Sequence, residues 1–410
     1  MRLPGHVDAE YLYEKMKQKL GQNRPRTPHP MNLRSLSLAL PLLALLSGAS
    51  SRAAGPKEVA VADRSLWPRP LRSSQDFDLA SRAENLVFAH VLGELEAQAE
   101  GFPALLGVKQ VHDESVRRWL EGVKDTVARN LRAARTACGA PSEPGCGAEE
   151  PTAANLVRLG GAFVAGLGPE YQAWLAMDSR FYTLYVKEQL RLAALFPSPT
   201  SEILPLGPGE VTGSDWPDRQ FLLTFDDGPT PAGKGTDRLV ALLNAREAKG
   251  VFFVLGDALE TRLGRTSAAS LQALYQGQCV GSHGQRHVSH QKLATWKEPV
   301  EGSRERISTL GLAGSRKVLF RPPYGQRSPE LTRWLSGQGG EVMLWNIDSQ
   351  DWNATVAPGP TTDRVVTLML LWRRGIVLFH DVHDKVHEAV PRLLDFARDT
   401  GLTWKDCSAL

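Results

Sequence analysis

Apolar positions along the chain follow two rhythms, and the change between them divides it. From Asp76 to Glu100, Leu79, Leu86, Val87, Val91, Leu92 and Leu95 recur at helical spacing. Such spacing puts one apolar stripe toward a core and the charged residues toward water. The same stripe returns between Asp113 and Ala137 at Val116, Leu120, Val123, Val127 and Leu131, and two more helices are expected over 152–166 and 169–195. Four amphipathic helices make a small bundle, so residues 76–196 are expected to form an all-α helical domain of unknown role. Its charged residues read as a solvated surface, with no metal-ligand or nucleophile pattern.

Past residue 217 the pattern becomes short apolar runs alternating with helical ones. Strands are expected at Phe221–Phe225, Val251–Leu255, Cys279–Ser282, Val318–Arg321, Val342–Ile347, Ile376–His380 and Leu402–Lys405. Helices fall between them at 236–248, 267–276, 298–310, 328–336, 361–373 and 386–399. This βα alternation predicts a parallel sheet over 218–407, open or closed into a barrel. In either form a ligand site lies at the C-terminal ends of the strands. The Pro-rich stretches 55–75 and 197–217 read as linkers.

The start of the chain has a pattern of its own. Residues 31–54 combine a basic opening, an apolar run from Leu36 to Leu46 and small residues suited to cleavage. These are the three parts of a secretory signal peptide, and the apolar run is too short to span a bilayer. Ala49 stands where a lipoprotein carries its acylated Cys, so no stable membrane anchor is expected after cleavage. Residues 1–30 precede this signal, so translation is expected to begin at Met31, with the first thirty residues a gene-model extension. The expected location is secreted or periplasmic.

Charge then loses its first meaning. The whole chain carries 48 Lys and Arg against 45 Asp and Glu. Cleavage near Ala53 removes 8 basic and 3 acidic residues, leaving 40 against 42. That balance argues against nucleic acid as a partner. Composition is 42% hydrophobic and 23% charged, which excludes a disordered, collagen-like or coiled-coil chain. Export brings an oxidising compartment. Cys138 and Cys146 flank a turn-rich loop able to close on itself, whereas Cys279 and Cys407 are either buried thiols or a second bridge. No CxxC occurs, so neither a zinc knuckle nor a thioredoxin-like motif is expected.

The unusual polar residues all fall at strand ends. The first strand finishes Thr224-Phe225-Asp226-Asp227-Gly228-Pro229. Read alone, this is a turn, since Asp, Gly and Pro all favour turns. Two adjacent carboxylates beside a low-dielectric wall become tolerable when one is a cation ligand and the other a base. The third strand ends in His283 and His287, four apart on one face of a helical turn. They are either structural histidines or metal ligands. With Asp227 they make a two-His, one-carboxylate set that leaves positions open. Further strand ends supply Arg321-Pro322-Pro323-Tyr324, Asp348-Ser349-Gln350-Asp351-Trp352 and Leu378-Phe379-His380-Asp381. A buried Arg orients a carboxylate, and an Asp fixes and strengthens a His. Each segment has a bland reading alone; the ordered series at one end of a sheet does not.

This series resembles the polysaccharide deacetylase family with the NodB homology domain, the family-4 carbohydrate esterases, over roughly 215–405. The matching motifs are Thr-Phe-Asp-Asp-Gly-Pro, His-x-x-x-His, Arg-x-Pro-Tyr, Asp-x-x-Asp-Trp and Leu-x-His. The resemblance implies an α/β fold, a distorted (β/α) barrel of NodB type, preceded here by the helical domain. It implies a hydrolase of carbon–nitrogen bonds that removes N- or O-acetyl groups from a glycan, with a divalent metal, most simply zinc, with cobalt, nickel or manganese as other occupants. By motif, Asp226 is expected as general base and His380 as general acid. Asp227, His283 and His287 are expected as metal ligands. Arg321 orients Asp226, Asp351 tunes His380, and the Tyr324 amide holds the oxyanion. Trp352 and Leu378 line the acetyl pocket.

The expected partner is an acetylated polysaccharide: peptidoglycan, a chitin-like polymer or an exopolysaccharide. Other readings are an O-acetyl xylan esterase and a catalytically inactive glycan-binding or envelope protein. One departure stands out. Gly284 occupies a position that is usually Ser or Thr, and so removes a hydroxyl that braces the His283–His287 loop. His290 and His383 are extra histidines close to the motifs.

Overall fold

A computed structural model describes residues 56, 58–140, 143–198, 201–291, 294–313 and 318–410. The expected extension 1–30 and signal segment 31–54 lie outside the described residues. No helix among the described residues is long and apolar enough to cross a membrane. The described residues fall in one compact unit.

Its first part is helical: α1 (Ser74–Glu96), α2 (Phe102–Leu106), α3 (Asp113–Arg135), α4 (Leu156–Ala165) and α5 (Gln172–Leu195). Ser73 caps α1 by accepting from the Asp76 N–H, the usual way to satisfy an orphan helix donor. The Cys138–Cys146 loop after α3 is closed by a disulfide.

The second part runs β1 (Glu210–Val211), β2 (Gln220–Asp226), α6 (Gly235–Ala245), β3 (Gly250–Val254), α7 (Gly256–Leu263), α8 (Ala268–Leu274) and β4 (Cys279–Ser282). It continues through α9 (Lys297–Thr309), α10 (Pro329–Gly337), β5 (Val342–Met343), β6 (Ile347–Asp348), α11 (Pro358–Trp372), β7 (Gly375–His380), α12 (Val386–Thr400) and β8 (Thr403–Trp404). The strands pair in parallel in the order β4-β3-β2-β7-β6, with β8 on β2 and β1 on β5. Phe320 bridges both Ser282 and Val342. Because β5 and β6 are two halves of one extended segment, the circuit closes into a distorted barrel.

Strand alternation sorts the side chains. Leu222, Val251, Phe253, Met343, Trp345, Ile376 and Leu378 fill one cluster, the barrel interior. Phe221, Leu223, Phe225, Phe252, Val254, Val377 and Phe379 belong to the larger core shared with the helices. Following the inner face upward, Leu222 leads to Thr224 and Asp226, and Leu378 leads to His380. The rule that buries the interior therefore delivers the polar residues to its rim.

Several expectations change. The strand expected over 342–347 is broken, because its hydrogen bonds switch partners. Leu344 N–H goes to Val211 O at 2.8 Å, and Asn346 N–H goes to Ile376 O at 3.3 Å. At 318–321 only Phe320 bridges, and α7 forms where no helix is expected. The stretches read as linkers are also built in. β1 lies within 197–217, and Val59, Ala60, Ala62 and Trp67 are buried within 55–75.

The helical part packs directly on the barrel helices. The last carbonyls of α11 have no partner inside their own helix, so α1 and α3 supply one. Ser81 donates to Leu370 O at 2.7 Å, and Asn130 donates to Leu371 O and Trp372 O at 3.0 and 3.1 Å. Asp78 pairs at 2.9 Å with Arg373, which is fully buried and also pairs with Asp218 at 2.6 Å. Cys279 and Cys407 form the second disulfide.

Candidate active site

The expected site residues gather at the C-terminal ends of the strands, with Leu378 still inside β7. Asp226 ends β2 and is 2% exposed. Its Oδ1 accepts from Arg321 Nη1 at 2.9 Å. Arg321 has no exposure, and its other donors are used on Thr224 Oγ1 at 2.8 Å, Met343 O at 3.0 Å and Leu344 O at 2.8 Å. Its guanidinium also lies 4.3 Å from the Phe253 ring centre. A buried guanidinium held by four hydrogen bonds is rigid, so it fixes the Asp226 carboxylate. Burial pushes the Asp226 carboxyl up to about 6; Arg321 and His380 hold it down and Asp227 adds to the rise.

Asp227 adopts φ 80, a left-handed conformation that Asp tolerates better than most residues. In that turn its carboxylate lies beside the histidines. Asp227 Oδ1 stands 3.5 Å from His283 Nε2 and 3.6 Å from His287 Nε2. This oxygen is buried and has no hydrogen-bond partner. His283 Nδ1 lies 2.7 Å from Arg321 O. A carbonyl only accepts, so Nδ1 carries the proton and the Nε2 lone pair is free. Burial, followed by the neighbouring His287, holds His283 well below its ordinary value. His287 is also lowered by burial, against the pull of Asp227.

Two neutral imidazole nitrogens and one orphaned carboxylate oxygen therefore converge. That donor set fits a divalent transition metal with coordination positions left over. Cys138, Glu143 and Cys146 also cluster, but those sulfurs are spent in the disulfide.

Across the rim, His380 Nδ1 meets Asp351 Oδ1 at 2.8 Å, and its backbone N–H meets Asp351 Oδ2 at 2.8 Å. One carboxylate thus grips both ring and backbone. Burial opposes charge on His380, yet Asp351, then Asp227 and Asp226, push it up to about 10. Tyr324 sits at φ 58, with its ring edge-on to His287 at 4.3 Å. Trp352 is exposed at the rim, whereas Leu378 is buried one step below His380.

Residues beside the motif positions also shape the site. Gly284 has φ 84, and a Cβ there would stand 2.9 Å from His290 Cε1. His290 fills that space, fully buried, and burial pushes it down to about 4. The brace expected from residue 284 comes instead from Ser282, whose Oγ accepts the Gly284 N–H at 3.1 Å. The ring of His383 packs 5.7 Å from that of His380. Asp381 is buried below the rim, accepting from Thr236 Oγ1 at 2.7 Å and donating its N–H to Asp226 O at 3.3 Å. Asp381 was visible in the sequence as the residue after His380; its burial was not.

Residues 213–340 match the polysaccharide deacetylase family model. Over 212 residues the chain is 28% identical to a peptidoglycan-N-acetylglucosamine deacetylase of Bacillus cereus, covering 50% of this chain and 74% of that protein. It is 26% identical over 194 residues to chitin deacetylase 1 of Saccharomyces cerevisiae, covering 45% of this chain and 59% of that protein. A crystal structure of a peptidoglycan N-acetylglucosamine deacetylase, in complex with 4-naphthalen-1-yl-N-oxidanyl-benzamide, covers 49% of this chain and 92% of its own at 19% identity and a TM-score of 0.44. The five motifs and these comparisons agree: residues 213–340 match the polysaccharide deacetylase family model, and through its α/β part the chain is similar to proteins named as peptidoglycan and chitin deacetylases.

Proposed function

We propose that the chain is an exported, divalent-metal-dependent deacetylase acting on a wall or extracellular glycan that contains N-acetylglucosamine. One observation carries this reading. Asp226, held by Arg321, and His380, held by Asp351, are register partners on the adjacent strands β2 and β7, and Asp226 directly precedes one of three convergent metal donors. The names of two relatives, a peptidoglycan deacetylase and a chitin deacetylase, support the substrate class. Export rests on the signal-like segment 31–54.

Asp226 accepts the proton of the attacking water, since a base with a value near 6 is mostly ionised at neutral pH. Arg321 keeps that carboxylate aimed at the water. A divalent ion held by Asp227, His283 and His287, zinc being the simplest choice, supplies Lewis-acid polarisation when bound. The Tyr324 N–H offers the developing oxyanion a donor. His380 gives its Nε2 proton to the leaving nitrogen while Asp351 keeps Nδ1 protonated. Trp352 walls the acetyl group at the rim, and Leu378 forms the floor beneath it.

The test is acetate release from peptidoglycan, N-acetylglucosamine oligomers and acetylated xylan by the metal-loaded chain, with Asp226→Asn as control. Release from the amide substrates that disappears in the variant supports the proposal. Release from xylan alone makes it an ester hydrolase, and no release from any substrate leaves a glycan-binding role.

A further inference from the structure

The loop that carries Tyr324 is strained. Tyr324 and Gly325 are both left-handed, at φ 58 and 64. A non-glycine residue in this region costs about 1–2 kcal/mol, so the surroundings must hold it there. The holding group is Arg327. It is fully buried, with Nη1 on Gly325 O at 2.9 Å and on Ser201 O at 2.8 Å. Its Nη2 reaches Leu204 O at 3.2 Å, and it grips Glu210 twice, each bond 2.6 Å.

Glu210 is fixed in turn by the Leu206 N–H at 2.8 Å and the Thr332 hydroxyl at 3.0 Å. Gly325 lies so close to this segment that a Cβ would meet Glu202 N at 3.2 Å and Ser201 Cα at 3.3 Å. The same segment touches the second metal-ligand loop, because Gln291 donates to Pro197 O. The stretch expected as a linker therefore underlies two catalytic loops, and it hangs from the end of α5.

From this geometry we infer that Arg327 and Glu210 are positioning residues: they clamp the 321–327 loop onto residues 201–210 and so set the place of the Tyr324 N–H. This rests on the deacetylase reading for its catalytic consequence.

The test uses the full zinc-loaded chain with Arg327→Lys, which keeps the charge but loses the fork, and Gly325→Ala, which keeps the ion pair but crowds Ser201. The readouts are kcat and KM for acetate release, zinc affinity by chelator competition, and amide hydrogen exchange of 321–327. Expected is a ~10–100-fold fall in kcat, with KM and zinc affinity within about twofold, and exchange at least ~10-fold faster. Unchanged kcat in folded variants, or a fall that tracks zinc loss, overturns the inference. If the wild type releases no acetate, the deacetylase reading fails while exchange still decides the clamp: unchanged exchange overturns it. If Arg327→Lys does not fold, Gly325→Ala decides alone.

Discussion

Replacing Asp351 with Asn probes the acid half of the site. The carboxylate takes two donors from His380, the ring Nδ1 and the backbone N–H, each at 2.8 Å. An amide keeps one acceptor but turns its NH2 against the other donor. The favoured charge on His380 is then lost. In the native chain the imidazole is lifted from its ordinary 6.5 to about 10, a difference equivalent to about 5 kcal/mol. Breaking a buried pair by removing one partner costs ~3–5 kcal/mol, so a stability loss in that range is expected. Its pH dependence has a definite sign. A raised folded value contributes stability that is full below the unfolded value near 6.5 and fades as pH climbs through about 10. The deficit of Asp351→Asn is thus largest in acid and shrinks toward pH 10. Catalysis follows the same logic: the alkaline limb of kcat, which reports loss of the acid's proton, moves down to or below 6.5. A bound cation lowers both limbs but keeps their order, and kcat at neutral pH falls by ~10²–10⁴. The assays are kcat against pH and denaturant unfolding at several pH values. An alkaline limb that stays in place in the variant refutes the reasoning.

Other perturbations test separate parts. Gly284→Ser forces a side chain onto His290 at a left-handed position, so it should cost ~1–3 kcal/mol and weaken zinc binding; His290→Ala in the same chain should restore part of both, read by melting and chelator competition. The Cys279–Cys407 bridge closes a separation of 128 residues, so replacing both with Ser should lower unfolding free energy by ~2–5 kcal/mol; an unchanged unfolding midpoint would contradict this. His283→Ala should abolish stoichiometric zinc uptake, since its free Nε2 is one of three donors, and metal analysis of the dialysed protein checks it.

Much of the site was readable because strand alternation and chemistry coincide. Leu222, Thr224 and Asp226 share a face by period two, so an apolar run ending in a carboxylate already marks an inner rim. The helical stripes were readable for the same periodic reason. What escaped depends on contacts between distant residues. Nothing local to Asn130 shows that it will satisfy the end of α11, and nothing local to Glu210 reveals Arg327. The break between β5 and β6 arises from a change of hydrogen-bonding partner, which no local propensity records. His290 was visible as an extra histidine, but its role as the filler beside Gly284 belongs to the folded loop. The Cys279–Cys407 pairing was left open for a like reason, since a separation of 128 residues carries no local signal.

The central claim is that this site hydrolyses an N-acetyl group. Its most direct test is to quantify acetate and newly exposed amine together, from an N-acetylglucosamine polymer treated with the zinc-loaded chain. Equal amounts of both are expected, abolished by chelation, restored by added zinc and absent with Asp226→Asn. Zinc bound at one ion per chain with neither product formed from peptidoglycan or chitin oligomers would contradict it.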